Sequence, residues 1–466
     1  MPRLWRRRAV GRHRANPSDE AAGKRIASRP IMNLPAAKSL STLVVAYGAY
    51  VAALFVRGLE LVGKLGLYML AARVLGVHEA GLFFLCITWV LLVSTLTRAG
   101  FEKAVMRHVA AELAVGKGRE ARLALLEGTG WVTLGGILGT LATIALATPA
   151  SIHIFGEPDL AAPLAVSAAA ILPQTLCIFA GHALTGFNRG VMGQFVQNGL
   201  WPVLTLGALA VGVHSLSGIL YALAAANLLS ALIGLAFILV GDVRKLKAVP
   251  QPTDDGGSIE NLPQLWRTAL PLGIVEVVQI SLNSLPVLLL AAFGEPSQVG
   301  AFSVANRISM LIWVVIISIG TIAAPRFAAH HRQEEWDELR TLNRKVRLAV
   351  ATFGVPVVLV MMLFPSFLLH LIGPGFEIAA TALIIMSVGQ LVNALLPCQD
   401  IMLAMTGHGG VLRWLNAAQL TTCVLLCAVL IPLFGMTGAA IATAIFIAQG
   451  GIGTTLMVRR LMPQVL

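Results

Sequence analysis

The stretch Arg57-Gly-Leu-Glu-Leu-Val-Gly-Lys64-Leu-Gly, RGLELVGKLG over residues 57–66, carries three charges between two strongly apolar runs, LVVAYGAYVAALFV and LGLYMLAARVLG. Gly58 to Lys64 fits the first seven positions of the phosphate-cradling G-x-x-x-x-G-K-[ST] loop. The eighth fails, because Leu65 stands where a hydroxyl must hold magnesium, and the flanks are not a strand and a polar helix start. Neither apolar run alone crosses a hydrocarbon core of ~30 Å. Residues 41–73 therefore read as one helix of roughly 50 Å with its charges near the middle. Arg57, Glu60 and Lys64, at i, i+3 and i+7, share one face. Intramembrane charges at such depth ordinarily face a water-filled cavity and carry function. The plainer reading is a self-neutralising ladder that ties this helix to its neighbours; the surplus positive charge favours the functional one.

Composition sets the class. Of 466 residues, 57% are hydrophobic and 12% charged, and the mean hydropathy is +0.81, which excludes an ordinary globular surface. Twelve apolar spans follow: 41–73, 80–98, 128–148, 161–184, 195–213, 217–241, 268–292, 300–323, 348–371, 378–404, 412–431 and 438–458. A net charge of +12 invites nucleic acid, but 29 of the 34 Lys and Arg fall on one side of these spans, while Glu79, Glu157, Asp159, Glu295 and Glu377 fall on the other. That is membrane topology with both termini cytoplasmic, not a nucleic-acid surface. The basic tail, residues 1–40, has no apolar core of its own and reads as a disordered, lipid-seeking arm rather than a signal peptide, with Met32 as an alternative start. The five cysteines show no metal spacing and read as small apolar fillers. The run HHRQEEWDELRTLNRKVR, with His330 and His331, reads as a solvated helix; no metal and no cofactor is expected.

The chain also repeats itself. Gly76 and Gly81 answer Gly294 and Gly300, Gly100 answers Gly320, Ile152-His-Ile-Phe-Gly156 answers Leu369-His-Leu-Ile-Gly373, and Leu184-Thr-Gly answers Met405-Thr-Gly, at offsets of 217–221 residues. Each half holds six spans, so the halves enter the membrane in the same sense, related by a pseudo-twofold axis along the membrane normal. The expected architecture is an all-α membrane protein with an N-lobe at 41–241, a Pro/Gly/Asp-rich cytoplasmic linker at 242–267, a C-lobe at 268–458 and a short tail at 459–466. Two like-oriented bundles around a cleft form a transporter.

Further polar residues lie within the spans. Arg307 lies about 12 Å in from the outer end of helix 8, with Glu276 on helix 7 as its expected partner. Glu276, Gln279 and Asn283 form a polar stripe on helix 7, while Gln390 and Asn393 on helix 10 read as helix-to-helix hydrogen bonders. Arg98, at the inner end of helix 2, is placed to reach either the basic surface or the cavity.

The segments LAARVLGVHEAGLF (70–83), TRAGFEKAVMRHVAAE (97–112) and LTGFNRGVMGQF (184–195) resemble the Wzx-type oligosaccharide and polysaccharide flippases of the multidrug/oligosaccharidyl-lipid/polysaccharide (MOP) exporter superfamily. The resemblance covers the chain after about residue 38 and is most specific at ARVLGxxEAG. It implies two six-helix lobes in the inner membrane and movement of undecaprenyl-pyrophosphate-linked glycans to the periplasmic leaflet, in O-antigen, exopolysaccharide or capsule synthesis, with loose association to polymerase and export proteins. Related peptidoglycan-precursor flippases line their cavity with arginines on helices 1, 2 and 8, where Arg57, Arg98 and Arg307 fall here; two extra helices common in that branch are missing, which points to the oligosaccharide branch. The expectation is that Arg57, Lys64, Arg307 and Arg98 bind pyrophosphate, that Glu60 or Glu276 balances or couples charge, and that Gln279 and Asn283 line the cavity. A drug-cation antiporter of the same superfamily would instead show an uncompensated cavity carboxylate, and a glycan polymerase, ligase or acyltransferase a large outer loop. The longest here is 149–160.

Overall fold

The computed structural model describes residues 40–242 and 264–465. The tail expected at 1–40 and most of the linker expected at 242–267 lie outside these. Of the described residues, those from Ala53 onward fall in one compact unit. The described residues are helical without a strand. In chain order the helices are α1 (Leu40–Arg98), α2 (Phe101–Ala114), α3 (Gly118–His153), α4 (Ala161–Ser167), α5 (Ile171–Gly186), α6 (Gly190–Gln194), α7 (Trp201–Ala210) and α8 (Leu216–Phe237) in the first half. The second half holds α9 (Leu265–Phe293), α10 (Pro296–Ser309), α11 (Ile312–Arg332), α12 (Trp336–Leu363), α13 (Pro365–His370), α14 (Ala380–Leu395), α15 (Gln399–Met405) and α16 (Gly409–Leu461).

Nine stretches of the described residues are long and apolar enough to cross a membrane; two of them hold two spans each, which gives eleven of the twelve spans expected, and the fifth falls outside the nine. Helix α1 breaks at Gly76 (φ 74, ψ 174) and α16 at Gly435 (φ 55, ψ −129), so each contributes two spans. Both conformations are nearly closed to residues with a Cβ. The fifth span is divided by a π-helical turn, Phe195–Leu200, between α6 and α7, which leaves no single piece of spanning length. In two places the helices begin well before the expected spans: α3 starts at Gly118 and α12 at Trp336, so the basic stretch before residue 128 and the run expected as a solvated helix before residue 348 are amphipathic leads continuous with apolar spans. The tenth span, expected unbroken at 378–404, is interrupted between α14 and α15, where Cys398 has φ 60.

The two halves meet through backbone. A Cβ built on Gly81 would lie 1.8 Å from the carbonyl oxygen of Pro296, and one on Gly300 would lie 2.4 Å from that of Val77. Val77 and Pro296 stand in the same repeat register as Gly81 and Gly300, so this is one contact made twice, as a twofold axis requires. Toward the basic side the meeting is asymmetric: a Cβ on Gly100 would lie 2.3 Å from the carbonyl oxygen of Ala269, and one on Gly273 would lie 2.4 Å from that of Ala99.

One apolar core runs through the first half into the second, with Phe83, Phe84, Phe179, Phe302 and Phe376 fully buried. A separate cluster around Ile312, Phe327, Val350 and Met402 occupies the second half alone. All five cysteines are buried and unpaired, as expected of fillers.

Gly81→Val should destabilise the protein by about 1–3 kcal/mol, the usual cost of overpacking, whereas Gly207→Ala, which meets nothing within 4 Å, should leave the detergent-solubilised melting temperature within a degree or two.

Candidate translocation site

On α1 the opening stretch forms a charge ladder. Arg57 Nη1 donates to Glu60 Oε2 at 3.0 Å and Lys64 Nζ to Glu60 Oε1 at 2.9 Å. Lys64 also donates to Asn198 Oδ1 at 2.9 Å and lies 6.0 Å from the centroid of the Trp201 ring. Asn198 belongs to the π-helical turn, where one added residue per turn redirects side chains; its own amide donates to Gln194 Oε1 at 3.2 Å. The self-neutralising ladder is therefore real, but incomplete: one carboxylate serves two cations, and the Arg57 side chain is 56% exposed.

Tyr68 continues the same face of α1 one turn, ~6 Å, beyond Lys64. The guanidinium of Arg307 on α10 lies 4.2 Å from its ring centroid and 4.3 Å from that of Phe84, between the two rings. Its Nη1 donates to the Ser303 carbonyl at 3.2 Å, and no carboxylate pairs with it among the described residues. The expected Arg307–Glu276 pair is thus absent. Arg307 is held by aromatic faces of the other half, where cation–π attraction replaces an ion pair. Around it is a cleft of ≈ 140 Å³ lined by Leu65, Tyr68, Met69, Leu311, Leu368 and Leu371 among others, apolar but for the guanidinium and the phenol.

Glu276 instead pairs with Lys103 of α2, which joins the two halves beside the Gly100–Gly273 contact. Arg98 neither snorkels nor opens to a cavity. Its side chain is 4% exposed, its Nε lies 3.5 Å from Glu102 Oε1, itself 1% exposed, and its two terminal nitrogens donate to Ser94 and Thr95 hydroxyls at 3.1 and 3.0 Å. A buried guanidinium held by two hydroxyls and an ion pair is a structural tie, although its Nε makes no hydrogen bond, and Glu102 is the neutralising partner that sequence spacing, i to i+4 across a helix junction, left unread.

Gln279 and Asn283 line a cavity of ≈ 480 Å³ inside the second half rather than between the halves. Asn393 lines it too, and the helix-to-helix bonding expected for residues 390 and 393 is missing: both amide atoms of Gln390 and Nδ2 of Asn393 are buried without a hydrogen-bond partner. On the side opposite the basic one, His78, Glu157 and Asp159 bring one ligand atom each within 4.8 Å of the others, an imidazole-and-carboxylate set able to hold a divalent ion. It joins two loops distant in sequence, and no spacing signalled it. His330, by contrast, bonds Glu335 at 2.7 Å as an exposed helix-end pair.

Charged and polar groups between two like-oriented helical halves define a multi-pass membrane transporter. The fold is that of the MOP superfamily: it matches an inward-facing multidrug resistance MATE family transporter of that superfamily (TM-score 0.67, 14% identity, 87% of this chain and 94% of that one) and the lipid II flippase MurJ in an inward closed conformation (TM-score 0.67, 15% identity, 88% and 87%). A MOP superfamily transporter from Pyrococcus furiosus, described as having a binding pocket of reverse polarity, matches with TM-score 0.63 at 16% identity, over 89% of this chain and 94% of that one. The chain belongs to the polysaccharide biosynthesis protein family, whose profile matches residues 44–331; the MatE profile matches 271–435. A probable flippase, AglR of Haloferax volcanii, is 27% identical over 189 residues, and the matched region spans 37% of each chain.

Glu102→Gln, which strands a buried guanidinium, should cost about 3–5 kcal/mol. Lys103→Gln, in a pair roughly one-third exposed, should cost about 1 kcal/mol or less. Thermal unfolding in detergent distinguishes the two; equal losses would contradict the assignment of Arg98 as a tie.

Proposed function

We propose that the protein flips a polyprenyl-pyrophosphate-linked oligosaccharide from the cytoplasmic to the periplasmic leaflet of the inner membrane by alternating access, in cell-surface polysaccharide synthesis, with both termini cytoplasmic. The observation that carries this reading is a charge balance. Arg57 and Lys64 share one carboxylate, Glu60, and Arg307 has none among the described residues, so two positive charges are left along α1 and its junction with α10. Arg98 and Lys103, at the junction of α1 and α2, are each paired, with Glu102 and Glu276. A pyrophosphate diester carries about two negative charges, and partial desolvation strengthens each charge-assisted contact.

The cleft around Arg307 fits the same ligand. Apolar walls with a single cation suit the junction of an anionic headgroup and a polyprenyl chain, and Tyr68 and Phe84 keep the guanidinium dehydrated until an anion displaces them. Moving two negative charges outward down a negative-inside potential contributes ~4–5 kcal/mol per 100 mV, so the lipid-linked anion itself can drive its transfer. Glu60 then acts as the resting counter-ion that the pyrophosphate replaces. The relative described as a probable flippase and the family's polysaccharide biosynthesis description support the substrate class.

The test is leaflet exposure of a polyprenyl-pyrophosphate oligosaccharide in proteoliposomes. Wild type should expose the glycan on the far leaflet, and Arg57→Ala, Lys64→Ala and Arg307→Ala should each slow it about tenfold or more, as loss of a charge-assisted contact of 1.5–3 kcal/mol requires. Unchanged transport in all three would remove the proposed pyrophosphate site. Failure of wild type on every glycan lipid, with export of organic cations in the same vesicles, would favour a drug-cation antiporter.

A further inference from the structure

The cavity of the second half is unlike the cationic stripe on α1 and needs its own account. Five carboxamides line it: Gln279 and Asn283 of α9, Asn393 of α14, and Asn416 and Gln419 of α16. Part of their capacity is already used. Asn283 Nδ2 donates to the Gln279 carbonyl and Gln419 Nε2 to the Phe446 carbonyl, both at 2.9 Å, which leaves their amide oxygens as acceptors. Asn393 Nδ2 is a buried donor with no partner. Leaving such a group unmatched costs about 1–3 kcal/mol, so it is matched when something with a hydroxyl enters. Trp313 and Phe446 add ring surface to the same wall.

The backbone is shaped for the cavity as well. Between α14 and α15 the chain leaves the helix over Leu396–Cys398, with Pro397 contributing no N–H and Cys398 at φ 60. Irregular backbone at membrane depth is tolerated where it is buried in protein or lines a wet cavity. Leu396, Cys398 and Asp400 all line this one. The break also divides the apolar core of the second half: Leu282, Phe446 and Ile447 on the cavity wall belong to the core shared by both halves, Ile316 and Cys398 to the separate cluster.

No Lys or Arg lines the cavity, and Asp400 is its one carboxylate. A phosphate is therefore unwelcome there. Neighbouring donors and acceptors on neutral amides, ring faces and a volume of ≈ 480 Å³, within the ~300–1,000 Å³ of ligand pockets, match a hydroxyl-rich, uncharged sugar. Resting on the flippase reading above, we infer that this cavity is the sugar-recognition subsite, and that Asp400 selects against glycans bearing a carboxylate near the lipid end. The selection works by repulsion: a uronate brought beside an unpaired carboxylate in a partly desolvated cavity is disfavoured, whereas a neutral sugar gains a hydrogen-bond acceptor. The two halves thus divide the ligand, pyrophosphate to the α1 stripe and sugar to the second half.

The experiment compares two polyprenyl-pyrophosphate lipids in proteoliposomes, one carrying a neutral disaccharide and one the same disaccharide ending in a uronic acid. Wild type should flip the neutral lipid at least about tenfold faster, and Asp400→Asn should bring the ratio close to one by raising the uronate rate. Asn393→Leu should slow the neutral lipid about tenfold while leaving bare polyprenyl pyrophosphate unaffected. Should a variant fail to fold, wild type alone still decides: the neutral free disaccharide should change the fluorescence component lost in Trp313→Phe, and the uronate should not. Equal flipping of both lipids by wild type and Asp400→Asn would overturn the subsite while the flippase reading stands. Equal loss of both in Asp400→Asn would assign Asp400 to a cation instead, and overturn the selectivity. If wild type moves neither lipid, the flippase reading falls and this inference with it.

Discussion

Ionic charge in hydrocarbon must be matched or hydrated, and that constraint orders the charged side chains in the spans of this protein. Arg98 is matched by Glu102 within a dry environment, and Lys103 by Glu276 across the two halves. Glu60 is stretched between two cations, and Arg307 has aromatic faces in place of a carboxylate. Desolvating a charge costs several kcal/mol even after relaxation, so an arrangement that leaves positive charge unmatched is stable only where water or an anionic ligand reaches it. The incomplete matches are the ones the proposed function draws on; the pairs Arg98–Glu102 and Lys103–Glu276 tie helices together.

The fold was legible in the sequence because hydrocarbon thickness imposes a length on every span and the Lys/Arg distribution assigns each loop to a side. The repeat was legible for a deeper reason. Gly81 and Gly300, found as one pair among several, are a point where the halves touch, so the sequence periodicity and the spatial twofold are the same fact. Boundaries were less legible where an amphipathic lead runs into a span, as before residues 128 and 348, since charge there signals an interface and not an end of helix.

The site was legible in part. Spacing on one helix is visible in one dimension, so the charges of Arg57, Glu60 and Lys64 were read as sharing a face, as their contacts show. The stripe read over Glu276, Gln279 and Asn283 divides, Glu276 going to Lys103 and the other two to a cavity of the second half. Partners from other helices were not visible. Asn198 meets Lys64 because a π-helical turn rotates it there, and Glu276 meets Lys103 because α2 packs on α9. Charge type and depth alone made Glu276 the natural mate of Arg307, and only the packing of Tyr68 and Phe84 around that guanidinium excludes it. The break at Leu396–Cys398 likewise left one signal, Pro397 in an apolar run, which prolines inside intact helices such as Pro325 and Pro356 made hard to weigh.

At four points the halves meet with glycine hydrogens against carbonyl oxygens, and such a seam has little side-chain identity of its own. Most interfaces are specific because complementary side chains must be matched one to one. Here the requirement is mainly the absence of a side chain at Gly81, Gly300, Gly100 and Gly273, with Lys103 and Glu276 as an added lock. A seam of that kind permits exchange: one half can be replaced by a diverged counterpart that keeps its glycines, without redesign of the other. Gene duplication followed by recombination of halves is then a short route to pairing one unchanged half with a new cavity in the other.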